Sequence, residues 1–383
     1  MPSGLSIRAR GWRQRSSGIA LAQKFLPRML LARRNCLKAS LVTAGRLLMP
    51  CGVMAIVGCQ SQPDVSDQTG FGGSIMGTGY TVRLGERDSA VSVDGLAQQV
   101  KTALAGVDVL MSTWRVDSEI SLFNNRRDSD WVPMAPSTID VMAHASTIAE
   151  QSAGAFDVTV GPLIDLWGFG AGSGSPVGAV PPARQIGKRL ASVGYEYIEV
   201  DVGSGNVRKL NPLVQVDLSG IAKGYAVDRA CRALDAAGVA SYLVEVGGEL
   251  RSRGRKSDKD AWRVGIERPA SLQAREAMRV VNLQDAAIAT SGDYRHFFME
   301  GGQRYSHSID PRTGKPVTHE LVSVSVIAGT SMVADALSTT MMILGPDDAM
   351  HFADKHDVAA HLVLKSGDAL TEIYSKEFEQ LVL

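Results

Sequence analysis

A carboxylate and a hydroxyl lie four residues apart in a segment whose apolar periodicity predicts a helix. Asp335 and Thr339 belong to the stretch Ser331–Leu344, so their oxygens would lie on one face of that helix. Such oxygen ligands suit Mg²⁺, which fills its other positions with waters or substrate phosphates. Taken alone, a capping or solvent-facing aspartate beside an inward-packed threonine is the simpler interpretation. The apolar neighbours of Asp335 strengthen the functional interpretation, because a buried unpaired carboxylate is costly.

A second candidate is the segment 216–225, which predicts a strand, a glycine-containing turn and the start of a helix. Free backbone N–H groups at a helix start favour an anion, and Lys223 adds a point charge suited to phosphate. The glycine spacing is not that of a P-loop. Taken alone, a tight turn with an exposed lysine is the simpler interpretation.

Three further segments carry groups that could handle protons or approach a ligand. His307 and Asp310 lie in the segment 305–314, which predicts a strand ending in a turn, although a strand histidine is more often structural. A glycine pair begins at Gly247, where the chain turns or a ligand comes close. Trp114 could supply an aromatic wall, with an ordinary core position as the equal alternative.

The elements that would position these groups mix helices and strands without a regular alternation. Apolar periodicity predicts helices at 94–111, 138–151 with Ser137 as N-cap, 223–237 and 331–344. Strands are predicted at 75–84, 213–217, 242–246, 262–267, 304–309 and 321–328, with a long loop at 168–182. The pattern predicts an α+β fold built mainly from antiparallel sheets.

Charge divides the chain into a basic leader and an acidic body. The first 60 of the 383 residues hold ten basic and no acidic side chains, and the remaining 30 basic and 40 acidic ones give the body a net charge of −10. An acidic body argues against nucleic-acid binding, which needs a basic face. Three of the four cysteines lie in the leader, which excludes a disulfide-rich scaffold.

The leader has the organisation of an export signal. An apolar stretch at 47–58 follows basic residues and is too short to span a membrane. It ends at Cys59, before a polar, glycine-rich stretch, which predicts a signal peptide at 1–58, a lipidated Cys59 and a flexible tether at 59–74. An ordinary signal peptide with an incidental cysteine is the alternative. The paired arginines at 33–34 also resemble a twin-arginine export motif.

Seven segments of the body, in order, resemble the ApbE family of FAD:protein FMN transferases. They are 76–80, 111–114, 154–157, 217–224, 290–292, 306–311 and 334–339. Each segment is weakly specific, but together they cover nearly the whole body. The resemblance implies one flavin transferase domain at 75–383 with an ApbE-like, T-fold-related α+β fold.

The resemblance also implies which residues form the site. Mg²⁺ would be held by the backbone carbonyl of Gly220, the carboxylate of Asp335 and the hydroxyl of Thr339. The residues implied to line the FAD site are Met76, Trp114, Ala155, Phe156, Asp157, Asp217, Lys223 and Ile309. The isoalloxazine ring is expected near Trp114 or Tyr80. His307 is the implied catalytic histidine.

The activity implied is Mg²⁺-dependent transfer of FMN from FAD to a threonine or serine hydroxyl of an acceptor flavoprotein, with release of AMP. The acceptors implied are flavoprotein subunits of membrane electron-transport complexes, and the leader predicts an inner-membrane lipoprotein facing the periplasm. Two alternatives remain. One is an FAD pyrophosphatase that releases FMN and AMP, and the other is a non-enzymatic periplasmic flavin-binding lipoprotein.

Overall fold

A computed structural model describes residues 70–85, 92–171, 178–269, 276–294 and 296–381. The predicted signal peptide, Cys59 and most of the predicted tether lie outside the described residues. Within the described ranges, none of the helices combines the length and apolar character that crossing a membrane requires.

Helices and strands alternate irregularly along the chain. The helices are α1 Val93–Met111, α2 Glu119–Asn125, α3 Pro136–Gln151, α4 Gly161–Leu166, α5 Ala183–Leu190, α6 Ala222–Ala236, α7 Ser331–Leu344, α8 Pro346–His356 and α9 Lys376–Glu379. The strands are β1 Gly70–Ile75, β2 Thr78–Leu84, β3 Val132–Pro133, β4 Ile198–Asp201, β5 Asn206–Lys209, β6 Tyr242–Val246, β7 Glu249–Arg253, β8 Trp262–Glu267, β9 Ala277–Leu283, β10 Ala287–Gly292, β11 Phe297–Glu300, β12 Gln303–Ser306, β13 Ile309–Asp310, β14 Lys315–Pro316, β15 Leu321–Ala328, β16 Ala359–Ser366 and β17 Ala369–Tyr374.

The central element is an eight-stranded sheet in which neighbouring strands are antiparallel. Its strand order is β1-β2-β6-β7-β10-β15-β16-β17. The hairpins β8–β9 and β11–β12 and the three-stranded sheet β3-β5-β4 are antiparallel as well. The predicted α+β fold with mainly antiparallel sheets is therefore confirmed.

The two faces of the sheet bury different clusters. Val326 and Ile327 are adjacent on β15 but pack into separate clusters, because successive strand side chains point to opposite faces. On the face of Val326, α1 packs on α6, α6 on α7, and α7 on β10 and β15. On the other face, Ile288 and Ile327 meet the β8–β9 hairpin and Phe378 of α9. The helices α6 and α7 thus lie side by side, with α6 against β6 and β7 and α7 against β10 and β15.

The segment predicted as a single strand at 75–84 is part of a hairpin. β1 and β2 pair with each other, and Met76 and Gly77 turn the chain with φ angles of 51° and 71°. Glycine adopts that region freely, whereas methionine rarely does. β1 begins at Gly70, so the prediction of an unstructured tether through residue 74 is wrong at its end. The glycine-rich sequence of β1 does not predict a strand. The strand forms nonetheless, because backbone pairing with β2 needs few apolar side chains.

Two other predicted boundaries differ. Ser137 is not the N-cap of α3, because the helix begins one residue earlier at Pro136, and proline suits the first helical position. The strand predicted at 304–309 is interrupted, since β12 ends just before His307 and β13 begins two residues after it. His307 is therefore a loop residue between two short strands.

The segment 213–217 forms no strand, although it was predicted as one. The side-chain amide of Asn124 pairs with the backbone of Val216 instead, donating to its carbonyl and accepting from its N–H over 2.7 Å each. The next residue, Asp217, donates its N–H to the carbonyl of Val158 over 2.7 Å. A side chain and a loop thus satisfy the backbone that a neighbouring strand would otherwise pair with.

Candidate active site

The start of α7 is fixed by a carboxylate from the neighbouring helix. Asp228 of α6 accepts hydrogen bonds from the backbone N–H groups of Ser331 and Met332, at 3.0 and 2.9 Å. Negative charge is favourable at a helix N-terminus. Arg251 donates to the same carboxylate over 2.6 Å. These bonds lock α6 and α7 together and fix the position of Asp335, one turn further along α7.

The first turn of α6 lies directly against Asp335. The backbone N–H of Gly224 donates to Asp335 Oδ2 over 2.9 Å. A Cβ at Gly224 would lie only 2.2 Å from the carbonyl oxygen of Ser331, so only glycine fits between the two helices. Asp335 is buried, with one oxygen held by the backbone and the other, Oδ1, facing Lys223.

The turn before α6 brings Gly220 next to the hydroxyl of Thr339. A Cβ built on Gly220 would lie 3.4 Å from Thr339 Oγ1 and 3.4 Å from Cε2 of Phe156. Ser291 Oγ lies 3.3 Å from the same Thr339 Oγ1 and 2.9 Å from Ser338 Oγ. The tertiary structure therefore places the turn of Gly220 against the helix face that carries Thr339 and Asp335.

These groups fit a magnesium ion by their chemistry. Among the described residues, no group of three or more His, Cys, Asp and Glu side chains is placed to hold a metal ion. The predicted set of Gly220, Asp335 and Thr339 contains one carboxylate, one carbonyl and one hydroxyl, which suits a hard ion that keeps waters and binds phosphates. The buried Oε2 of Glu249, which accepts no hydrogen bond, adds negative charge nearby.

Lys223 bridges two buried carboxylates, and we call Lys223, Glu249 and Asp335 the carboxylate–lysine cluster. Its Nζ lies 2.5 Å from Glu249 Oε1 and 3.6 Å from Asp335 Oδ1. Burial lowers the pKa of Lys223, but the charges of Asp335 and Glu249 outweigh that effect and raise it. Burial raises the pKa of Glu249, and the charge of Lys223 acts in the opposite direction to keep its carboxylate ionised. Because the lysine side chain stays 35% exposed, its charge is available to an anion.

The predicted flavin residues Ala155, Phe156 and Asp157 form a buried turn. Asp157 Oδ1 accepts hydrogen bonds from the backbone N–H and the hydroxyl of Thr159, both over 2.7 Å. Burial nevertheless raises the pKa of Asp157 to about 6. Asp217 is tied to the same turn, since its N–H bonds the carbonyl that follows Asp157. These four residues are thus neighbours in the structure, and their contact with FAD stays a prediction.

The turn at Met76 approaches the turn between β6 and β7. The N–H of Gly247 donates to the carbonyl of Gly79 over 3.0 Å. A Cβ at Gly247 would lie 3.0 Å from Thr78 Cγ2 and 3.5 Å from Glu249 Oε2. Met76, predicted to contact the flavin, is two residues before Thr78. The side chain of Thr78 lies beside Gly247, in the turn that leads to Glu249 of the carboxylate–lysine cluster.

Two predicted flavin residues differ sharply in exposure. The side chain of Trp114 is 74% exposed on the loop after α1, so its interpretation as a core residue is wrong. Ile309 is buried in an apolar cluster with Leu163, Trp167 and Phe298. A ligand contact by Ile309 would therefore come from its backbone rather than its side chain.

His307 is oriented by a backbone carbonyl. Its Nδ1 lies 3.2 Å from the carbonyl oxygen of His296, which also accepts the His307 backbone N–H over 3.0 Å. A carbonyl only accepts, so Nδ1 carries the proton and Nε2 keeps a lone pair. Burial and then His296 lower the pKa of His307, and Lys223 contributes in the same direction.

Sequence reasoning assigned no role to Glu249, Ser291 or Asp228. Glu249 follows the glycine pair directly, and that position beside a possible close approach of a ligand was the available signal. Asp228 carries the same signal as Asp335, because both are acidic residues among buried helix positions. Ser291 lies in a small-residue segment, where nothing distinguishes a hydroxyl that contacts Thr339 from an exposed one.

Comparison with known proteins agrees with this geometry. The ApbE family matches residues 76–362. An FAD:protein FMN transferase of Haemophilus influenzae is 35% identical over 86% of this chain and 94% of its own length. The solved structure of the flavin transferase ApbE from Vibrio cholerae matches with a TM-score of 0.75 and 35% identity, covering 82% of this chain and 98% of that one. The apo form of the Pseudomonas stutzeri flavinyl transferase ApbE also gives 0.75, at 36% identity, covering 82% of this chain and 96% of that one. Both the predicted resemblance and the ApbE-like fold are confirmed, and the chain belongs to the ApbE family.

Proposed function

We propose that this chain is a Mg²⁺-dependent FAD:protein FMN transferase. FAD is the substrate, a threonine or serine hydroxyl of a flavoprotein is the acceptor, and AMP is released. The proposal depends on one observation, the proximity of two pairs of groups on α6 and α7. Lys223 lies beside Asp335, and the turn of Gly220 lies beside Thr339. The name FAD:protein FMN transferase, shared by relatives over most of this chain, supports the same activity.

Different residues around this point are proposed to bind Mg²⁺, the diphosphate and the rest of FAD. Gly220, Asp335 and Thr339 would hold Mg²⁺, which when bound supplies the positive charge that stabilises the diphosphate and the AMP leaving group. Lys223 supplies a second positive charge to the diphosphate. The residues proposed to contact the rest of FAD are Met76, Trp114, Ala155, Phe156, Asp157, Asp217 and Ile309.

We propose that His307 takes the proton of the acceptor hydroxyl. Its Nδ1–H donates to the carbonyl of His296, which leaves Nε2 unprotonated and fixes the plane of the ring. The lowered pKa of His307 keeps the imidazole neutral, as a general base requires.

In the proposed step, the acceptor hydroxyl oxygen attacks the phosphorus of the FMN half of FAD. A new P–O ester bond forms while the P–O bond to the bridging oxygen of the diphosphate breaks. AMP departs with that oxygen, and the hydroxyl proton passes to Nε2 of His307. No oxidant or reductant is needed, because the flavin keeps its redox state.

The leader supports a proposed location for this reaction. Export and lipidation at Cys59 would anchor the enzyme to the inner membrane on the periplasmic side, beside acceptor subunits of electron-transport complexes. The polar sequence after Cys59 gives the domain room to reach them. A Cys59→Ser variant should not carry lipid, and a fully membrane-anchored mature protein in this variant would contradict the anchor.

Mass spectrometry of a co-expressed candidate acceptor tests the activity. The acceptor should gain the mass of FMN less one water, on a threonine or serine, and only when this chain is present. Purified chain incubated with FAD but without acceptor should release little free FMN. Rapid release of FMN and AMP would identify an FAD pyrophosphatase instead, and binding of FAD without either product would identify a flavin-binding protein.

A further inference from the structure

We propose that Glu249 is a positioning residue of the flavin-transfer site: it binds the ammonium of Lys223 and keeps it directed at the FAD diphosphate rather than at Asp335. The inference rests on the proposed function, because it takes FAD as the ligand of this site. It extends that function to a residue on β7 that is neither one of the predicted metal ligands nor a predicted flavin contact.

The distances within the carboxylate–lysine cluster make Glu249 the principal partner of Lys223. Nζ lies 2.5 Å from Glu249 Oε1 but 3.6 Å from Asp335 Oδ1. Asp335 has an independent donor, since its Oδ2 accepts from the N–H of Gly224. The Oε2 of Glu249 is buried and accepts no hydrogen bond, and Lys223 is the cation bound to its Oε1. The buried carboxylate of Glu249 therefore depends on Lys223 and holds it firmly.

Charge explains why such an anchor is needed. A lysine without Glu249 would keep one buried anionic neighbour from the cluster, Asp335, and would move toward its Oδ1. That oxygen is the one that the Gly224 bond leaves free for a metal ion. Lys223 and a dication would then compete for the same carboxylate, and the ammonium would be turned away from the diphosphate. With Glu249 on a separate strand, each cation has its own carboxylate.

The test is the affinity of Glu249→Gln for FAD. This substitution keeps the size of the side chain and removes its charge. Charge alone predicts tighter binding, because FAD is an anion and the variant has one negative charge fewer. The positioning role predicts the opposite, a loss on the order of tenfold, because a lysine diverted to Asp335 no longer meets the diphosphate.

The affinity is measured by titrating purified full-length chain with FAD and following quenching of flavin fluorescence, with saturating Mg²⁺ and with EDTA. The loss of FAD affinity should occur both with Mg²⁺ and with EDTA, because it arises from the displaced Lys223 and not from the metal. Glu245→Gln is the matched control: Glu245 lies on the adjacent strand β6 and binds the hydroxyl of Thr81 over 3.0 Å. That variant should bind FAD as wild type does.

Three results would overturn the positioning role: unchanged or tighter FAD binding by Glu249→Gln, a loss confined to samples with Mg²⁺, or an equal loss in Glu245→Gln. The first would show that Glu249 contributes only charge, the second that it acts through the metal, and the third that the loss is not specific to Glu249. Flavinylation of an acceptor by the wild-type chain, run in parallel, separates the two claims. A wild type that flavinylates while Glu249→Gln binds FAD normally would leave the proposed function intact and remove Glu249 from it.

Discussion

The backbone N–H of Gly224 donates a hydrogen bond to Oδ2 of Asp335 over 2.9 Å, at a point where helices α6 and α7 touch. The bond joins the first turn of α6, which carries Lys223, to the middle of α7. Any change in the spacing of these helices therefore moves the carboxylate of Asp335 relative to the ammonium of Lys223.

Gly224→Ala should force the two helices apart. Its Cβ would lie 2.2 Å from the oxygen and 2.6 Å from the carbon of the Ser331 carbonyl, and backbone atoms cannot turn aside as a side chain can. We expect a loss of about 1–3 kcal/mol in the free energy of unfolding, measured by urea denaturation, and a loss of flavinylation. Gly106→Ala in α1 is the control, because no atom lies within 4 Å of its Cβ. Alanine there should be neutral or stabilising, and equal stability of both variants would contradict the tight contact.

Asp335→Asn should abolish flavinylation and leave the fold intact. The amide oxygen can still accept from Gly224, and replacing a buried charge by a neutral isostere need not destabilise the protein. The remaining proposed ligands would be neutral, and Mg²⁺ gives up water reluctantly to neutral oxygens alone. Flavin fluorescence of the acceptor in a denaturing gel measures transfer, with EDTA-treated wild type as the reference. Thr339→Ala should be milder, since a water can replace a hydroxyl. Near-normal transfer by Asp335→Asn would contradict the proposed metal site.

His307→Gln should slow transfer by about 10²–10⁴-fold while FAD affinity stays near that of wild type. Burial lowers the pKa of His307 below its ordinary value of 6.5, and a general base must be neutral. The wild-type rate at saturating FAD should therefore be level above about pH 6.5 and fall as the pH drops through the lowered pKa. Stopped assays across this range measure it. A wild-type rate in the variant, or a rate that rises in acid, would leave His307 a structural residue.

Asp157→Asn should stabilise the protein at neutral pH. Burial raises the pKa of Asp157 from 3.8 to about 6, so the unfolded chain loses this proton at a lower pH than the folded one. The stability that the protonated carboxyl contributes is present below pH 3.8 and is lost as the pH rises to about 6. The variant should gain about 2–3 kcal/mol at pH 7.5 and much less at pH 4.5, which thermal melts at both values can check. A gain that is independent of pH would contradict burial of the charge.

Trp114→Ala should weaken FAD binding by about 2- to 10-fold, the equivalent of losing one aromatic stacking contact. The melting temperature should not change, because the side chain is 74% exposed. Tyr80 is the poorer stacking candidate, since it is buried in the main core. Trp131→Ala is the control: that ring is also exposed but lies under the guanidinium of Arg208, at 4.6 Å. Equal FAD affinity of both variants would exclude Trp114 from the site.

The local elements of the fold could be predicted from the sequence alone. The apolar periodicity of α7 and the alternation of β15 are short-range properties, and both elements have the predicted bounds. The placement of Asp335 and Thr339 on one helix face follows from helix geometry and needs no tertiary information. The family resemblance could also be read from seven ordered segments, because each motif is contiguous in the chain.

Only the tertiary structure decided which of these groups meet. Glu249 and Lys223 are 26 residues apart, and Gly224 and Asp335 are 111 apart, so their contacts depend on strand order and on how closely α6 packs on α7. The pairing of Val216 with the Asn124 side chain was also beyond local patterns, because a side chain 92 residues away replaces the strand partner. Sequence periodicity reports the environment of one element at a time, whereas the charge and hydrogen bonding of this site arise where α6, α7 and β7 meet.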